Sequence, residues 1–143
     1  MKRREFIAAS GLLAAPMIAP AATGEDPFLP CFRAWLRAKQ DWWQASQQEV
    51  PGAYEEWGSP ECLEAQRRED LVFNAMMATP PTTMEGIAAL AQVIWNELGP
   101  GYRRDDDRYT EAAASYEFQP LLALWRAASG RDDHPPPVFA WWD

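Results

Sequence analysis

The chain has 143 residues, enough for one domain that buries a core without a metal or a disulfide. Apolar residues make up 48% of it and eight residues are Trp, a composition that argues against a wholly disordered chain. Residues 1–21 contribute +2 to the formal net charge of −8, so residues 22–143 carry −10. Such an acidic body repels phosphate backbones and anionic lipid headgroups, which makes nucleic acid and a membrane surface poor partners.

The first 21 residues have the order of regions found in export signals. A basic start precedes a moderately apolar stretch over residues 7–22, and the small residues Ala19 and Ala21 precede the expected cleavage point. The basic start resembles the twin-arginine motif, in which an arginine pair is followed by a spacer, Phe and an aliphatic residue. The residues that match this motif are Arg3, Arg4, Phe6 and Ile7. Lys2 departs from it, because Ser or Thr is usual there.

The apolar stretch is too short and too rich in Ala and Gly to cross a bilayer comfortably, which takes about 20 strongly apolar residues. We therefore expect a cleaved signal and a periplasmic protein. The twin-arginine export machinery would be its first partner, and no stable membrane span would remain after cleavage. Two alternatives stay open: an uncleaved N-terminal membrane anchor, and an ordinary first helix of a cytoplasmic protein.

Two helix starts of the same kind divide the first half of the body. Asp26-Pro27 and Ser59-Pro60 each place a Pro, suited to the first helical turn, after a residue that can cap a helix. Aromatic and aliphatic residues then recur at helical spacing, first as far as Pro51-Gly52 and then to about Ala78. These patterns predict two long helices.

The second half contains the clearest helical periodicity. Thr82 and Glu85 have the spacing of a capping box, and the third helix they open is ended by Gly99-Pro100-Gly101. A fourth helical stretch covers roughly residues 108–129, where Pro120 should kink or divide it.

Together these patterns predict an all-α fold, a three- to four-helix bundle led by a long helical hairpin. The signal would occupy residues 1–21, the bundle residues 22–130, and a tail rich in Pro and Trp residues 131–143. The sequence shows no β-hairpin signal and no internal repeat.

The segment over residues 78–87, ATPPTTMEGI, resembles a linker in a loosely defined set of short proteobacterial proteins. Several of these also begin with a twin-arginine-like signal. They look like helical bundles in which a long hairpin leads through a Thr-Pro-x-Thr-Thr turn into a third amphipathic helix. The resemblance implies this fold and export route. It implies no activity, because the set has no established one, so no catalytic residue is carried over.

Cys31 and Cys62 are the only cysteines, and an oxidising compartment would permit a bridge between them. In an antiparallel hairpin, however, they would lie near opposite ends, about 29 Å apart at 1.5 Å per residue. A disulfide requires Cα atoms within about 7 Å. We expect two thiols, while an intramolecular bridge is the less favoured alternative and intermolecular pairing stays open.

The sequence offers no metal or cofactor site. His134 is the only histidine, and two distant cysteines do not complete a zinc site with it. The three Asp at residues 105–107 lack the spacing and the closing Glu of a calcium loop, so a solvated turn is expected. No nucleophile elbow, glycine-rich phosphate loop or carboxylate pair in an apolar setting occurs. We therefore expect no catalytic residue, and an enzyme is the least favoured class.

Adjacent tryptophans are the better hint of function. Trp42 and Trp43 cannot share one helical face, so one of them is expected at a groove or an interface. Trp141 and Trp142 could anchor a partner, because exposed aromatic residues are favoured at interfaces. They could equally fold onto the bundle and fix the tail.

These observations give two main hypotheses of function. The first is a periplasmic protein-binding or accessory factor, since an acidic, aromatic-rich body lacks catalytic groups. The second is a small-molecule binder with a Trp-lined groove between helices. If the N-terminus is not a signal, the chain would instead be an intracellular helical adaptor.

Overall fold

The computed structural model describes residues 24–48 and 58–139, and within these ranges the chain is all-α, as predicted. Its elements are α1 (Phe28–Ser46), α2 (Pro60–Met77), α3 (Met84–Leu98), α4 (Tyr109–Ala113), a 3-10 turn (Tyr116–Phe118) and α5 (Gln119–Ser129). The predicted signal, residues 1–21, lies outside the described ranges.

α1 and α2 form an antiparallel hairpin. Cys31, in the first turn of α1, lies beside Thr79, just beyond the end of α2, with 3.9 Å between Sγ and Oγ1. Further along, the indole Nε1 of the fully buried Trp35 donates a hydrogen bond to Oε1 of Glu69 (2.7 Å). The predicted long hairpin therefore leads the fold.

α3 runs parallel to α1 and contacts it along most of its length. The two helices start together at Asp26 and Thr83, whose Oδ2 and backbone N are 2.6 Å apart. They are still in contact at Lys39 and Glu97, where Nζ and Oε1 are 2.7 Å apart. α1 is therefore the central connection between α2 and α3.

α5 returns along α3 in the opposite direction. Trp125 packs with Ala88 and Ala91 in the first half of α3, and Leu122 packs with Trp95 nearer its end. The small side chains of α3 let the two helices approach closely, and the large ones of α5 fill the space. The helices that pack as neighbours are thus α2 with α1, α1 with α3, and α3 with α5.

The largest hydrophobic cluster lies where the hairpin meets α3 and the C-terminal residues. Its buried members are Phe28, Leu29, Trp35, Met76, Ala89, Val93, Val138 and Phe139. Burying each large side chain of this kind stabilises the fold by roughly 1.5–3 kcal/mol. The cluster therefore joins residues from both ends of the described chain.

A buried carboxylate, which we call the Asp26 clasp, ties the start of α1 to the start of α3. Asp26 is only 3% exposed. Its Oδ1 accepts a hydrogen bond from the N–H of Phe28 (2.8 Å), which caps the first turn of α1, although this helix begins at Phe28 and not at Pro27 as predicted. Its Oδ2 accepts from the backbone N–H groups of Thr82 (2.8 Å) and Thr83 (2.6 Å) and from the Thr83 hydroxyl (2.7 Å).

These hydrogen bonds decide the charge of the clasp. Burial alone would raise the pKa of Asp26, but the hydrogen bonds from Phe28, Thr83 and Thr82 favour the charged form and lower its pKa to about 2. Asp26 is therefore a carboxylate at neutral pH, at the N-terminal end of α3, where the helix dipole also favours a negative charge.

Gly86 permits this close approach. A Cβ at position 86 would lie 2.3 Å from Oδ2 of Asp26 and 2.9 Å from Cβ of Pro81. Any side chain there would push the carboxylate away from the first turn of α3. The linker over residues 78–87 thus acts as the binding partner of Asp26.

The N-cap of α3 lies one residue later than predicted. Oγ1 of Thr83 accepts a hydrogen bond from the N–H of Gly86 (3.1 Å), so the capping box predicted from Thr82 and Glu85 is wrong. The reason is tertiary. Asp26 takes the backbone N–H of Thr82, which places this residue before the helix.

Pro120 divides the fourth helical stretch, one of the two outcomes predicted for it. α4 ends at Ala113, and α5 begins at Gln119 with Pro120 in its first turn. Pro has no N–H to donate and fits this position, whereas it would disrupt a helix interior. α5 then ends at Gly130, which has the left-handed φ of 69° that favours glycine.

Residues 131–139, the described part of the predicted tail, pack on the bundle. Asn96 of α3 donates to the carbonyl of Pro136 (3.0 Å) and accepts from the N–H of Val138 (2.8 Å). The indole of Trp125 donates to the carbonyl of Asp133 (2.8 Å). Residues 131–139 therefore fold onto the bundle, whereas Trp141 and Trp142, for which the two alternatives were stated, lie outside the described residues.

Candidate functional site

The C-terminal end of α3 turns sharply into a loop over residues 99–108. A Cβ on Gly99 would lie 2.1 Å from the carbonyl oxygen of Trp95, and Gly101 has a φ of 71°, so both positions require glycine. Along the loop, the guanidinium of Arg108 lies 4.4 Å from the ring centroid of Tyr102. This contact therefore joins two parts of the loop to each other.

Three rings from three parts of the chain meet behind this loop. The ring centroid of His134 lies 5.3 Å from that of Trp95 and 5.5 Å from that of Tyr109. The Tyr109 hydroxyl oxygen and Nδ1 of His134 are 2.9 Å apart. Arg104 of the loop donates to the carbonyls of His134 (3.2 Å) and Pro135 (2.7 Å), which fixes the tail beside the rings.

Burial sets the protonation of these rings. It lowers the pKa of His134, and the positive charges of Arg104 and Arg126 lower it further, whereas the carboxylate of Asp133 acts in the opposite direction. Burial also raises the pKa of Tyr109, which keeps its proton at neutral pH. His134 is therefore neutral at pH 7.

A small cavity lies between the rings and the loop. It encloses about 80 Å³, and its walls include Trp95, Tyr102, Tyr109 and Pro135. Pockets for metabolites usually measure about 300–1,000 Å³. This cavity by itself does not provide the Trp-lined metabolite site of the second hypothesis.

A wider groove, which we call the α3-end groove, lies beside the cavity and opens to solvent. It has a volume of about 480 Å³ and is lined by Leu98, Gly99, Pro100, Tyr102, Ala112, Ser115, Glu117 and Phe118. Leu98 is 73% exposed, and Tyr116, in the 3-10 turn that forms one wall, is 93% exposed. Large apolar and aromatic side chains around a concave surface are typical of interaction sites.

A second concave surface follows the α1–α2 hairpin. It measures about 330 Å³ and is lined by Ala34, Arg37, Ala38, Asp41, Ala65, Arg68, Leu71 and Val72. Its lining has no aromatic side chain, and three of its eight residues are charged. Interfaces are enriched in Tyr, Trp and Phe, so the α3-end groove is the better candidate.

Trp42 and Trp43 were predicted to mark an interaction site. Both are half-buried and pack against the largest hydrophobic cluster. The ring of Trp43 lies 5.4 Å from that of Phe139, and neither tryptophan lines the cavity or the α3-end groove. That one of them contacts a partner stays a prediction.

Lys39 lies in a cage of aromatic and acidic groups next to these tryptophans. Its Nζ is 2.7 Å from Oε1 of Glu97 and 3.6 Å from Oε1 of Glu69. The same ammonium lies 5.8 Å from the ring centroid of Trp35 and 5.7 Å from that of Trp42. The cage joins α1, α2 and α3, and its side chains are largely shielded from water, so its role is structural.

The two cysteines are free thiols in the structure. Cys31 lies beside Thr79 at one end of the hairpin, and Cys62 lies in the first turn of α2 at the other, where its N–H binds the capping Ser59. This is the separation that the antiparallel arrangement predicts.

Two of the three aspartates of the loop are paired with arginines. Asp105 binds Arg103 (2.8 Å) and Asp106 binds Arg108 (2.7 Å), the solvated turn that the sequence predicts. Within residues 24–48 and 58–139, no group of three or more His, Cys, Asp or Glu is placed to hold a metal ion. In the same ranges no helix is long and apolar enough to span a bilayer.

The remaining predicted site residues lie outside the described ranges. They are the signal residues Arg3, Arg4, Phe6, Ile7, Ala19 and Ala21, and the terminal Trp141 and Trp142. Each stays a prediction.

The chain matches no protein-family model, no curated protein sequence and no solved structure. The resemblance to short proteobacterial proteins therefore stays a prediction as well. The function has to be argued from the geometry of this chain.

Sequence reasoning missed both the α3-end groove and the ring cluster. Tyr102 and Tyr116 lie in polar stretches without periodicity, and Leu98 reads as the last apolar residue of a helix. His134 was considered only as a metal ligand. The available signal was its chemistry, because a lone histidine is the one side chain whose charge ordinarily changes near neutral pH.

Proposed function

We propose that this chain is an exported helical protein that works in the periplasm by binding another protein through the α3-end groove. The observation that carries the proposal is the groove of about 480 Å³ lined by Leu98, which is 73% exposed. Tyr116, next to the lining residue Glu117, is 93% exposed. Such side chains give up unfavourable contact with water when a partner covers them.

The partner that fits is a basic protein segment with a large apolar side chain as its anchor. Residues 22–143 carry a net charge of −10, and the carboxylate of Glu117 lies in the groove wall. Complementary charge steers association and selects the partner, while a buried apolar anchor supplies most of the affinity. The groove is open along one side, which suits a protein segment better than an enclosed metabolite.

Binding is tested by site-specific photocrosslinking in the exported protein. A photoreactive phenylalanine analogue at position 116 should form one adduct of defined mass. The same analogue at Leu63, which is 46% exposed on α2, is the matched control and should not form it. Leu98→Asp should abolish the adduct, and added salt should weaken it. Equal adducts at both positions, or none at 116, would contradict the groove as the binding site.

The export proposal rests on the twin-arginine-like motif, the small residues at positions 19 and 21, and the resemblance of residues 78–87 to the linker of exported helical proteins. It is tested by fractionating cells that make the tagged protein or its Arg3→Lys/Arg4→Lys variant. We expect a periplasmic product whose intact mass begins near Ala22, lost in the variant. A full-length cytoplasmic product in both strains would favour an intracellular helical adaptor instead.

A further inference from the structure

We propose that the tail over residues 131–139 is a pH-sensitive latch, closed while His134 is neutral and released when His134 takes up a proton. Release would remove one wall of the cavity beside the α3-end groove and so regulate the groove. The link to the groove rests on the proposed function. The latch itself does not, because its opening can be measured on the free protein.

The tail is held by polar contacts on several sides. Its carbonyls accept hydrogen bonds from Trp125 of α5, Asn96 of α3 and Arg104 of the loop, at 2.7 to 3.2 Å. Beyond His134, Pro135 is fully buried, and Val138 and Phe139 belong to the largest hydrophobic cluster. His134 is the only one of these residues whose charge changes in the ordinary physiological range.

The tail is continuous with the candidate site. Pro135 and Pro137 form part of the cavity wall, and the cavity shares Gly99, Pro100 and Tyr102 with the α3-end groove. A tail that leaves the bundle therefore opens the cavity towards the groove. It also uncovers the hydrophobic surface beneath Val138 and Phe139.

Protonation conflicts with the contacts that His134 makes. Its Nδ1 lies 2.9 Å from the Tyr109 hydroxyl oxygen, and in the proposed closed state it accepts the proton of that hydroxyl. An imidazolium has no acceptor, so this hydrogen bond would have to reverse. The ring also packs between Trp95 and Tyr109, where a new charge loses its contact with water.

Taken together, the charged groups around His134 also disfavour its protonation. Arg104 of the loop and Arg126 of α5 disfavour a positive imidazolium, and only Asp133 favours it. Asp133 is already paired with Arg131 in the tail. Glu97 of α3, in the cavity wall, is likewise engaged by Lys39.

The direction of the pH effect follows. The pKa of His134 is lowered from 6.5 in the closed state, so closure is complete above pH 6.5 and weakens as the pH falls below that value. Each unit by which the pKa is lowered changes the closing equilibrium tenfold.

The latch is tested by NMR on the full chain without any partner. The Nε1–H resonance of Trp125 reports closure, because it binds the carbonyl of Asp133. Between pH 8 and pH 5 this resonance should move to a released position with a midpoint below 6.5. His134→Gln keeps a neutral hydrogen-bonding side chain and should remove the transition.

Tyr109→Phe provides an independent variant should His134→Gln fold poorly. It removes the hydroxyl bound at Nδ1, so the closed state should disfavour the imidazolium less, and the pH-dependent movement of the Trp125 resonance should become smaller. A Trp125 resonance that does not change down to pH 5 would overturn the latch. So would an unchanged transition in His134→Gln, which would assign it to carboxylates. Neither result would affect the crosslinking test of the groove.

Discussion

Asp26 combines two duties that usually fall to separate residues. It caps α1 through one carboxylate oxygen and binds the entry to α3 through the other. A charged acceptor in such a place contributes more than a neutral one, and its loss leaves buried N–H donors without a partner. Single substitutions around the Asp26 clasp should therefore have large effects.

Gly86→Ala should destabilise the protein by about 2–3 kcal/mol, because the new Cβ would lie 2.3 Å from Oδ2 of Asp26. Chemical denaturation monitored by tryptophan fluorescence measures the change. Gly24→Ala is the matched control, since nothing lies within 4 Å of a Cβ at that position. Equal stability of the two variants would show that the clasp is not formed as described.

The Asp26 clasp should also make the free energy of unfolding fall at acidic pH. The pKa of Asp26 is lowered from 3.8 to about 2, so its contribution is complete above pH 3.8 and is lost as the pH falls towards 2. The free energy of unfolding, measured by denaturant titration across this window, should fall more steeply for the natural protein than for Asp26→Asn. Asp106→Asn, on the loop, is the control for other paired carboxylates and should not share the large loss of stability at pH 7.

At the scale of helices, the apolar periodicity and the positions of proline and glycine predicted most of the helices that form. The proline and glycine positions marked the starts of α1 and α2, the end of α3 and the break before α5. Proline and glycine are reliable signals because each affects only the backbone of the few residues next to it. The cap of α3 was predicted one residue too early because Asp26, distant in sequence, decides which threonine caps the helix.

This difference can be measured. Thr83→Ala removes the side chain that caps α3 and binds Asp26, and should cost about 1–2 kcal/mol of stability. Thr82→Ala keeps the backbone N–H that Asp26 uses, so it should change stability by less than about 0.5 kcal/mol. Thermal denaturation followed by circular dichroism compares them. The reverse order of effects would restore Thr82 as the cap.

At the scale of the molecule, the tail completes the fold rather than extending from it. Val138 and Phe139 lie in the same cluster as Phe28 and Trp35 of the first helix. Asn96 is one of the polar links, because its side chain binds two backbone groups of the tail, as that of Arg104 also does.

Asn96→Ala should therefore lower stability by about 2 kcal/mol and make the tail sensitive to protease. Asn74→Ala, at an exposed position of α2, is the control and should behave like the natural protein. Denaturation gives the energy, and mass spectrometry of a brief digest locates the first cut. First cuts elsewhere than in residues 131–139 would contradict this role.

The candidate site was less predictable than the fold. The α3-end groove depends on where the loop over residues 99–108 lies against the 3-10 turn, and no local pattern encodes that contact. The ring cluster brings together Trp95, Tyr109 and His134, which are separated by up to 39 positions in the sequence. Tertiary packing, not residue type, turns these side chains into a site.

The Asp26 clasp has a consequence for the order of folding. Asp26 and Thr82 are 56 residues apart, and closing a loop of that length costs roughly 3.5 kcal/mol of chain entropy before any contact repays it. The start of α1 therefore cannot be fastened until α3 has been synthesised and docked. Only four residues separate Asp26 from the predicted cleavage point after Ala21. Asp26 is thus held in place only when the first and third helices have met.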